Sequence, residues 1–354
     1  MGEVSKPVLV AQKWHNSAHF AMDSRRLALE QWLGAHFRGA PLALEPASAD
    51  ASFRRYWRLS LGDGRSFIAM DAPPAQEDCA PFVRIARLLR AAGVHAPEVL
   101  AQDLAQGFLL LSDLGTRTYL EALDEASAAA LMRDATDALL RWQLATRPGE
   151  LPPYDEGLLR REMALFAEWY VGRHLGRGLS AAQQAALGEV CTLLVRSALA
   201  QPAVYVHRDY MPRNLMVADP NPGVLDFQDA VEGPITYDIV SLLRDAFLSW
   251  DEERVLDWAV RYWEKAKRAA LPVAQDFAEF WRALEWMGLQ RHLKVLGIFA
   301  RLTYRDGKPR YVADTPRFLG YARAVAGRYA ALVPLARLLD ELEGREQRSA
   351  PGPR

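Results

Sequence analysis

Cysteine and lysine are both scarce in this chain. Its 354 residues include two cysteines, Cys79 and Cys191, too few and too far apart for a disulfide framework or a four-ligand zinc site. That usage points to a reducing compartment. No run of about 18 apolar residues occurs, and the first residues lack the apolar core and small-residue cleavage site of a signal peptide. Neither a membrane span nor secretion is therefore expected, and the cytoplasm is the expected location. Neither sign of charge dominates: 43 Lys+Arg against 44 Asp+Glu leave a formal net charge of -1. Such a balance offers no whole-protein basic field for nucleic acid or an anionic membrane. Six of the 43 basic residues are lysines, and none lies between Lys13 and Lys265.

What is present fits an ordinary globular protein, half hydrophobic and a quarter charged, so disorder and coiled-coil readings fall away. The length suits two domains or one large two-lobed one. Residues 1–22 show no sustained periodicity and read as an N-terminal extension. A helical pattern over 25–37 follows, and from Arg54 to Ala72 the sequence changes to short apolar or alternating runs around Gly62-Asp63-Gly64, a hairpin signal. PFVRIARLLRAAG reads as a helix, and VHAPEVLAQDLAQGFLLLSDLG as two strands. Beyond Leu114 helices are expected at 124–145, 157–176, 180–200, 236–250, 252–269, 273–303 and 313–339. They are interrupted by short strands at Tyr205, Leu215–Val217 and Val224–Phe227. The fold class is α+β: a small β-rich lobe over 23–112, a larger helical lobe over 113–342, a natural crevice between them, and a flexible tail over 343–354.

The stretch richest in chemistry is HRDYMPRNLMVADPNPGVLDFQD, residues 207–229. Asp209 and Asn214 are five apart on a loop, and Asp226 ends a short apolar strand twelve residues further on. Two strands flanking such a loop bring the three side chains together. Oxygen donors of this kind suit Mg²⁺, which keeps several waters and takes its other ligands from substrate phosphates. Each short pair taken alone is an ordinary loop feature; their joint spacing is far more demanding.

HRDYMPRN resembles the H-R-D-x-x-x-x-N catalytic loop of the protein-kinase-like fold, with Asp226-Phe227 where the D-F-G aspartate stands. The resemblance implies a two-lobed nucleotide-dependent phosphotransferase. It makes Asp209 the base that accepts the proton of the attacking hydroxyl, and Asn214 and Asp226 the metal ligands. His207 is expected to hydrogen-bond near the loop rather than to shuttle protons. Gln228 replaces the glycine of D-F-G and no activation segment precedes Pro234, which argues against peptide substrates.

In the small lobe, PASADASFRRYWRL resembles the Ser/Phe-containing nucleotide loop of aminoglycoside-phosphotransferase-like kinases. That makes Ser52, Phe53, Arg54 and Arg58 candidate nucleotide contacts. The strand RSFIAMDA should supply a lysine that clamps the phosphates, but Met70 or Ala69 stands there. Arginine remains as the only long cation, with Arg54, Arg55 and Arg58 as candidates, since guanidinium suits bidentate phosphate contact. Glu77 or Asp78 could orient it, or serve as a helix N-terminal charge. LLLSDLG, with Leu111 and Asp113, resembles the hinge whose backbone meets adenine; a helix cap is the bland alternative.

Longer strings, among them GVLDFQDAVEGPITYDIVSLLRDAF, MGLQRHLKVLGIFARL, ASFRRYWR and MDAPPAQEDCAPF, resemble the bacterial anomeric sugar kinases of cell-wall recycling. These phosphorylate N-acetylmuramate and N-acetylglucosamine at the C1 hydroxyl. The similarity implies ATP as donor, Mg²⁺ as cofactor, a small sugar as partner, and no obligatory protein partner. A lactyl carboxylate on the acceptor would favour a facing cation, for which Arg213, Arg291, His292 and Lys294 are candidates. Asp229, Glu232 and Asp238 offer some acid, and Glu168-Trp169-Tyr170 is either a sugar contact or core. QRHLK also reads as the solvated face of an amphipathic helix. Two competing readings are an antibiotic phosphotransferase, which needs a denser acidic lining, and a catalytically silent nucleotide-binding module, raised by the missing lysine.

Overall fold

A computed structural model describes residues 24–37, 43–49 and 53–344. The N-terminal extension, Ser52 of the nucleotide loop and tail residues 345–354 lie outside the described residues. The chain divides into two compact units: one through Glu77 together with Leu100–Leu111, the other Asp78–Val99 together with the residues from Ser112 on.

The first unit is built on a five-stranded sheet, in the order β1-β2-β3-β5-β4. It begins with helix α1 (Ser24–His36), followed by β1 (Ala43–Ala49), β2 (Arg55–Ser60) and β3 (Ser66–Asp71). After helix α2 (Ala80–Ala91), which belongs to the second unit, come β4 (Val99–Asp103) and β5 (Phe108–Ser112). Alternation along β2 buries Trp57 and Leu59 on one face, where Leu29 and Leu33, one helical turn apart on α1, meet them with Ala69, Phe108 and Leu110. The β2–β3 hairpin turns at Gly62-Asp63-Gly64, with Gly64 at φ +86°, a backbone conformation in which a side chain is disfavoured. Arg55 faces Asp71 in the register. The buried Asp71 carboxylate accepts from Arg55 and also from Arg25 of α1 at 2.5 Å.

Strand β1 was not expected. It pairs antiparallel with β2, Ala43 opposite Ser60 and Ala49 opposite Arg55, so PASA of the expected nucleotide loop is strand, and the connection shrinks to residues 50–54. Its local pattern, with a proline and three alanines, carries no alternation; pairing to β2 supplies the order.

The second unit is helical around one long element. Its elements are α2, α3 (Tyr119–Ala122), α4 (Ala128–Leu144), α5 (Glu156–Leu165) running into a π-helical turn (Phe166–His174), and α6 (Ala181–Leu199). Strands β6 (Ala203–Val206), β7 (Leu215–Met216), β8 (Gly223–Val224) and β9 (Val231–Pro234) follow. The chain closes with α7 (Tyr237–Leu243), α8 (Glu252–Arg268), α9 (Phe277–Tyr304), α10 (Thr315–Arg328) and α11 (Val333–Glu343). α9 packs against α5, the π-helical turn, α6, α7, α8 and α10. Gly297 allows the closest approach: a Cβ there would lie 2.4 Å from the Leu165 carbonyl carbon. Among the described residues no helix is long and apolar enough to cross a membrane.

Two expected helices and the expected tail differ in extent. The stretch 236–250 is helical only to Leu243, because Arg244 turns away at ψ +61°. The stretch 313–339 breaks at the extended Tyr329, just before Pro334 starts the next helix. Glu343, expected in the tail, closes α11 and pairs with Arg323 at 2.6 Å.

Candidate active site

Two short antiparallel ribbons build the centre of the second unit. In one, β6 pairs with β9, Val206 opposite Val231; in the other, β7 pairs with β8, Leu215 opposite Val224. The loop 207–214 leaves β6 and enters β7, while residues 225–230 leave β8 and enter β9. The two loops therefore emerge side by side. Leu225 donates its N–H to the Asn214 carbonyl at 2.9 Å. Asn214 Nδ2 donates to the Asp209 carbonyl at 2.8 Å and lies 3.3 Å from Asp226 Oδ2. Gln228 Nε2 donates to the other Asp226 oxygen at 2.9 Å. Strand β8 is shorter than expected, and Asp226 takes φ +61°, a strained conformation for a non-glycine residue of the kind that collects at functional sites. Phe227, fully buried, anchors the turn against Phe82 of α2 with ring centroids 4.8 Å apart.

The loop holding Asp209 is fixed from beneath. Asp238, in the first turn of α7 and 0% exposed, accepts the backbone N–H of His207 at 2.6 Å and of Arg208 at 3.0 Å. Burial pushes its carboxyl up to about 7, with the two amides and the Arg291 charge opposing. The ring of His207 accepts the Asp209 N–H on Nδ1 at 3.3 Å. Burial pulls the His207 imidazole down to about 4, which keeps it neutral and able to accept. Arg208 takes φ +75° and donates to Glu162 Oε1 at 2.6 Å. Glu162 also accepts from Lys294 at 2.8 Å, from Gln290 at 3.3 Å and from the Tyr154 hydroxyl. Burial alone would raise the Glu162 carboxyl, but Lys294 and Arg208 bring it below its usual range. Lys294 had been singled out from the sequence, but as a cation facing the acceptor; Glu162, Gln290 and Tyr154 were not legible, and Glu162 lies 46 residues upstream of Arg208, inside an ordinary amphipathic helix.

The other residues singled out from the sequence fall in different places. Arg54 pairs with Glu77 at 3.0 Å, and Glu77 also accepts the N–H of Phe53, a residue 61% exposed. Arg55 is held by Asp71 instead. Arg58 stands between Glu45 on β1 and Ile68 on β3 in the register. Ala69 lies in the core shared with α1, while Met70, also buried, is on the opposite face of the strand. Leu111 is buried at the end of β5, and the Asp113 side chain accepts the N–H of Gly115.

The substrate candidates are corrected in part. Arg291 is 2% exposed and His292 1%: the solvated-face reading of QRHLK fails because α9 is wrapped on nearly every side. Arg291 acts on the buried carboxyls of Asp238 and Asp245. His292 lies between the rings of Phe318 and Tyr321, 5.5 and 5.2 Å away. Glu168 is exposed on the π-helical turn with Arg301 as charge neighbour, so the structure does not gather it with Asp209, Asn214 and Asp226; Tyr170 beside it stacks in the core on Phe166. Glu232 accepts the N–H of Gly149. Asp229 stays exposed beside the catalytic loop, its carbonyl 3.4 Å from Arg208 Nη1. Arg213 is exposed, immediately before Asn214, and its guanidinium lies over the Phe247 ring, 5.5 Å from the centroid.

Chemically, the Asp226 carboxylate and the Asn214 side-chain carbonyl are hard oxygen donors of the kind a divalent cation of the Mg²⁺ class takes, with water and phosphate oxygens completing its shell; the Asn214 Nδ2 is the atom that faces Asp226, 3.3 Å away. The Asp209 side chain is carried by the same loop as Asn214.

The model of the phosphotransferase enzyme family matches residues 43–277. An N-acetylmuramate/N-acetylglucosamine kinase of Pseudomonas aeruginosa is 57% identical over 302 residues, covering 85% of this chain and 89% of that one. One of the same name from Neisseria meningitidis is 50% identical over 327 residues, covering 91% and 97%. Among solved structures, APH(2'')-IIa in a ternary complex with streptomycin and ATP aligns at a TM-score of 0.56 and 14% identity, covering 84% of this chain and 97% of that one. At that identity the likeness shows the protein-kinase-like fold and nothing finer.

Proposed function

The chain belongs to the phosphotransferase enzyme family and is a kinase, and from that footing we propose that it moves the terminal phosphoryl group of ATP onto the anomeric hydroxyl of N-acetylmuramate, N-acetylglucosamine or both. The product is the sugar 1-phosphate, formed in the cytoplasm during recycling of cell-wall sugars. The names of the relatives from P. aeruginosa and N. meningitidis, 57% and 50% identical, support this choice of acceptor.

The observation that carries the chemistry is the convergence of Asn214 on both Asp209 and Asp226, at 2.8 and 3.3 Å. Asp209 orients the sugar hydroxyl and accepts its proton as the new O–P bond forms; the bond to the bridging oxygen of the nucleotide breaks, and ADP departs. Asn214 and Asp226 would hold Mg²⁺, which supplies charge neutralisation on the phosphates. Asp238 and His207 keep the loop in register, so that the hydroxyl meets the carboxylate rather than water. In the first unit, the Arg54–Glu77 pair stands in for the missing lysine and its glutamate, with Ser52, Phe53 and Arg58 as further nucleotide contacts; Leu111 and Asp113 are the contacts for the adenine edge.

An antibiotic acceptor is disfavoured by the use of the nearby acids: Asp238 is taken up by loop amides and Glu232 by Gly149. The test is a panel of amino sugars and aminoglycosides screened by coupled ADP release, with phosphorus NMR of the product. Sugar-dependent release and an anomeric phosphate are expected. Turnover with kanamycin-like amines and none with amino sugars would replace this proposal with the antibiotic one.

A further inference from the structure

The residue before Asp209 sits in a backbone conformation that its side chain disfavours. Arg208 has φ +75°, in the left-handed region where a Cβ crowds the backbone and only glycine is at ease. A residue so placed stays there only where its surroundings hold it. Relaxed toward an ordinary conformation, it would carry the next residue, Asp209, to a different place.

Two clamps hold the turn. On the backbone side, Asp238 takes the N–H groups of His207 and Arg208 at 2.6 and 3.0 Å. On the side-chain side, Glu162 of α5 takes the Arg208 guanidinium at 2.6 Å. Both clamps are tied to one cation on α9: Lys294 Nζ lies 2.8 Å from Glu162 Oε1 and donates to the Tyr237 hydroxyl at 2.9 Å, and Tyr237 is the residue before Asp238. The second Glu162 oxygen accepts from Gln290 at 3.3 Å and from the Tyr154 hydroxyl. Glu162, Lys294 and Tyr237 are 6%, 8% and 0% exposed. Apolar residues would pack α5 against α9 at least as well as this buried cluster. What the charges add is a fixed position for Arg208.

We propose that Glu162 is a positioning residue for phosphoryl transfer: paired with Arg208 and backed by Lys294, it holds the left-handed turn that sets where Asp209 projects. The inference rests on the reading of Asp209 as proton acceptor given above, and adds to it the carboxylate that fixes the loop from a separate helix.

The experiment measures kcat at saturating ATP and acceptor for Glu162→Gln in two backgrounds, native and Arg208→Gly, where the turn needs no clamp. Glu162→Gln should lower kcat by about 10–100-fold beside arginine and by less than about threefold beside glycine, with KM for ATP moving less than about threefold throughout. Equal losses in the two backgrounds would make Glu162 a support of the helical unit alone and would overturn the proposal, as would no loss in either. Should Glu162→Gln fail to fold, Arg208→Ala and Arg208→Gly decide the matter. Both delete the guanidinium and leave Glu162 with Lys294, but only glycine suits the left-handed turn, so the alanine variant should have a kcat at least about tenfold below that of the glycine variant. Equal kcat values for the two would overturn the proposal. The acceptor is whichever compound of the panel above the native enzyme phosphorylates fastest. Turnover of an aminoglycoside alone would replace the amino-sugar reading and leave this test standing, whereas a native enzyme active on no acceptor would overturn both.

Discussion

The Asp238 carboxylate accepts the backbone N–H of His207 at 2.6 Å, tying the first turn of α7 to the start of the loop that carries Asp209. Since the neighbouring N–H of Arg208 uses the other oxygen, truncating Asp238 strands two buried donors at once. Asp238→Ala should cost roughly 2–6 kcal/mol, at about 1–3 kcal/mol per donor, and Asp238→Asn, which keeps one acceptor, should cost less. Urea denaturation of the two variants checks this; an alanine variant as stable as the native chain would show the loop to be held by something else.

His207 gives a pH signature. Its folded imidazole is held near 4 against an ordinary 6.5, so the unfolded chain binds the extra proton. Stability from this group is complete above 6.5 and is lost as pH falls toward 4. The loss is on the order of 3 kcal/mol, taking about 1.4 kcal/mol per pKa unit. Asp238, raised to about 7 from 3.8, works in the opposite direction over the same range, so the native curve alone does not separate them. The difference between the native chain and His207→Gln does: the variant should lose less stability on acidification from pH 6.5 to 4. Parallel curves would contradict a neutral buried His207.

Glu162 is the common acceptor of Arg208 and Lys294. Glu162→Ala leaves both cations buried without it and should destabilise the fold by about 3–5 kcal/mol. Removing a cation as well should be milder than that loss suggests, so that Glu162→Ala combined with Lys294→Met costs less than the sum of the single changes. Thermal melts of the four proteins measure the coupling, and strict additivity would dissolve the proposed network.

How much of this was legible in the sequence follows from range. The β2–β3 hairpin, α1, α2 and the H-x-D, Asn, Asp-Phe spacing are written in local patterns, and they were read. Strand β1 was missed because Ala43–Ala49 has no alternation and depends on its partner. The solvated-face reading of α9 failed because period alone does not say how many sides of a helix are covered; Gln290, Arg291, His292 and Lys294 are buried on a helix that other elements surround. Glu162 was invisible for a related reason, since it acquires its meaning from Arg208 and Lys294, far along the chain.

Gly297 marks the tightest of those contacts. A methyl group there meets Leu165 backbone at 2.4 Å, and backbone does not yield as a side-chain tip does. Gly297→Ala should destabilise by about 1–3 kcal/mol, despite the better helix propensity of alanine. A stabilised variant would mean that α5 and α9 are not held this close.

The most direct measurement is amino-sugar-dependent ADP release by Asp209→Asn beside the native enzyme, with ATP affinity determined by calorimetry on both. Losing the proton acceptor while keeping the Asn214–Asp226 arrangement should lower kcat by about 10²–10⁴-fold and leave ATP affinity within about threefold. Undiminished phosphorylation by Asp209→Asn would contradict the account.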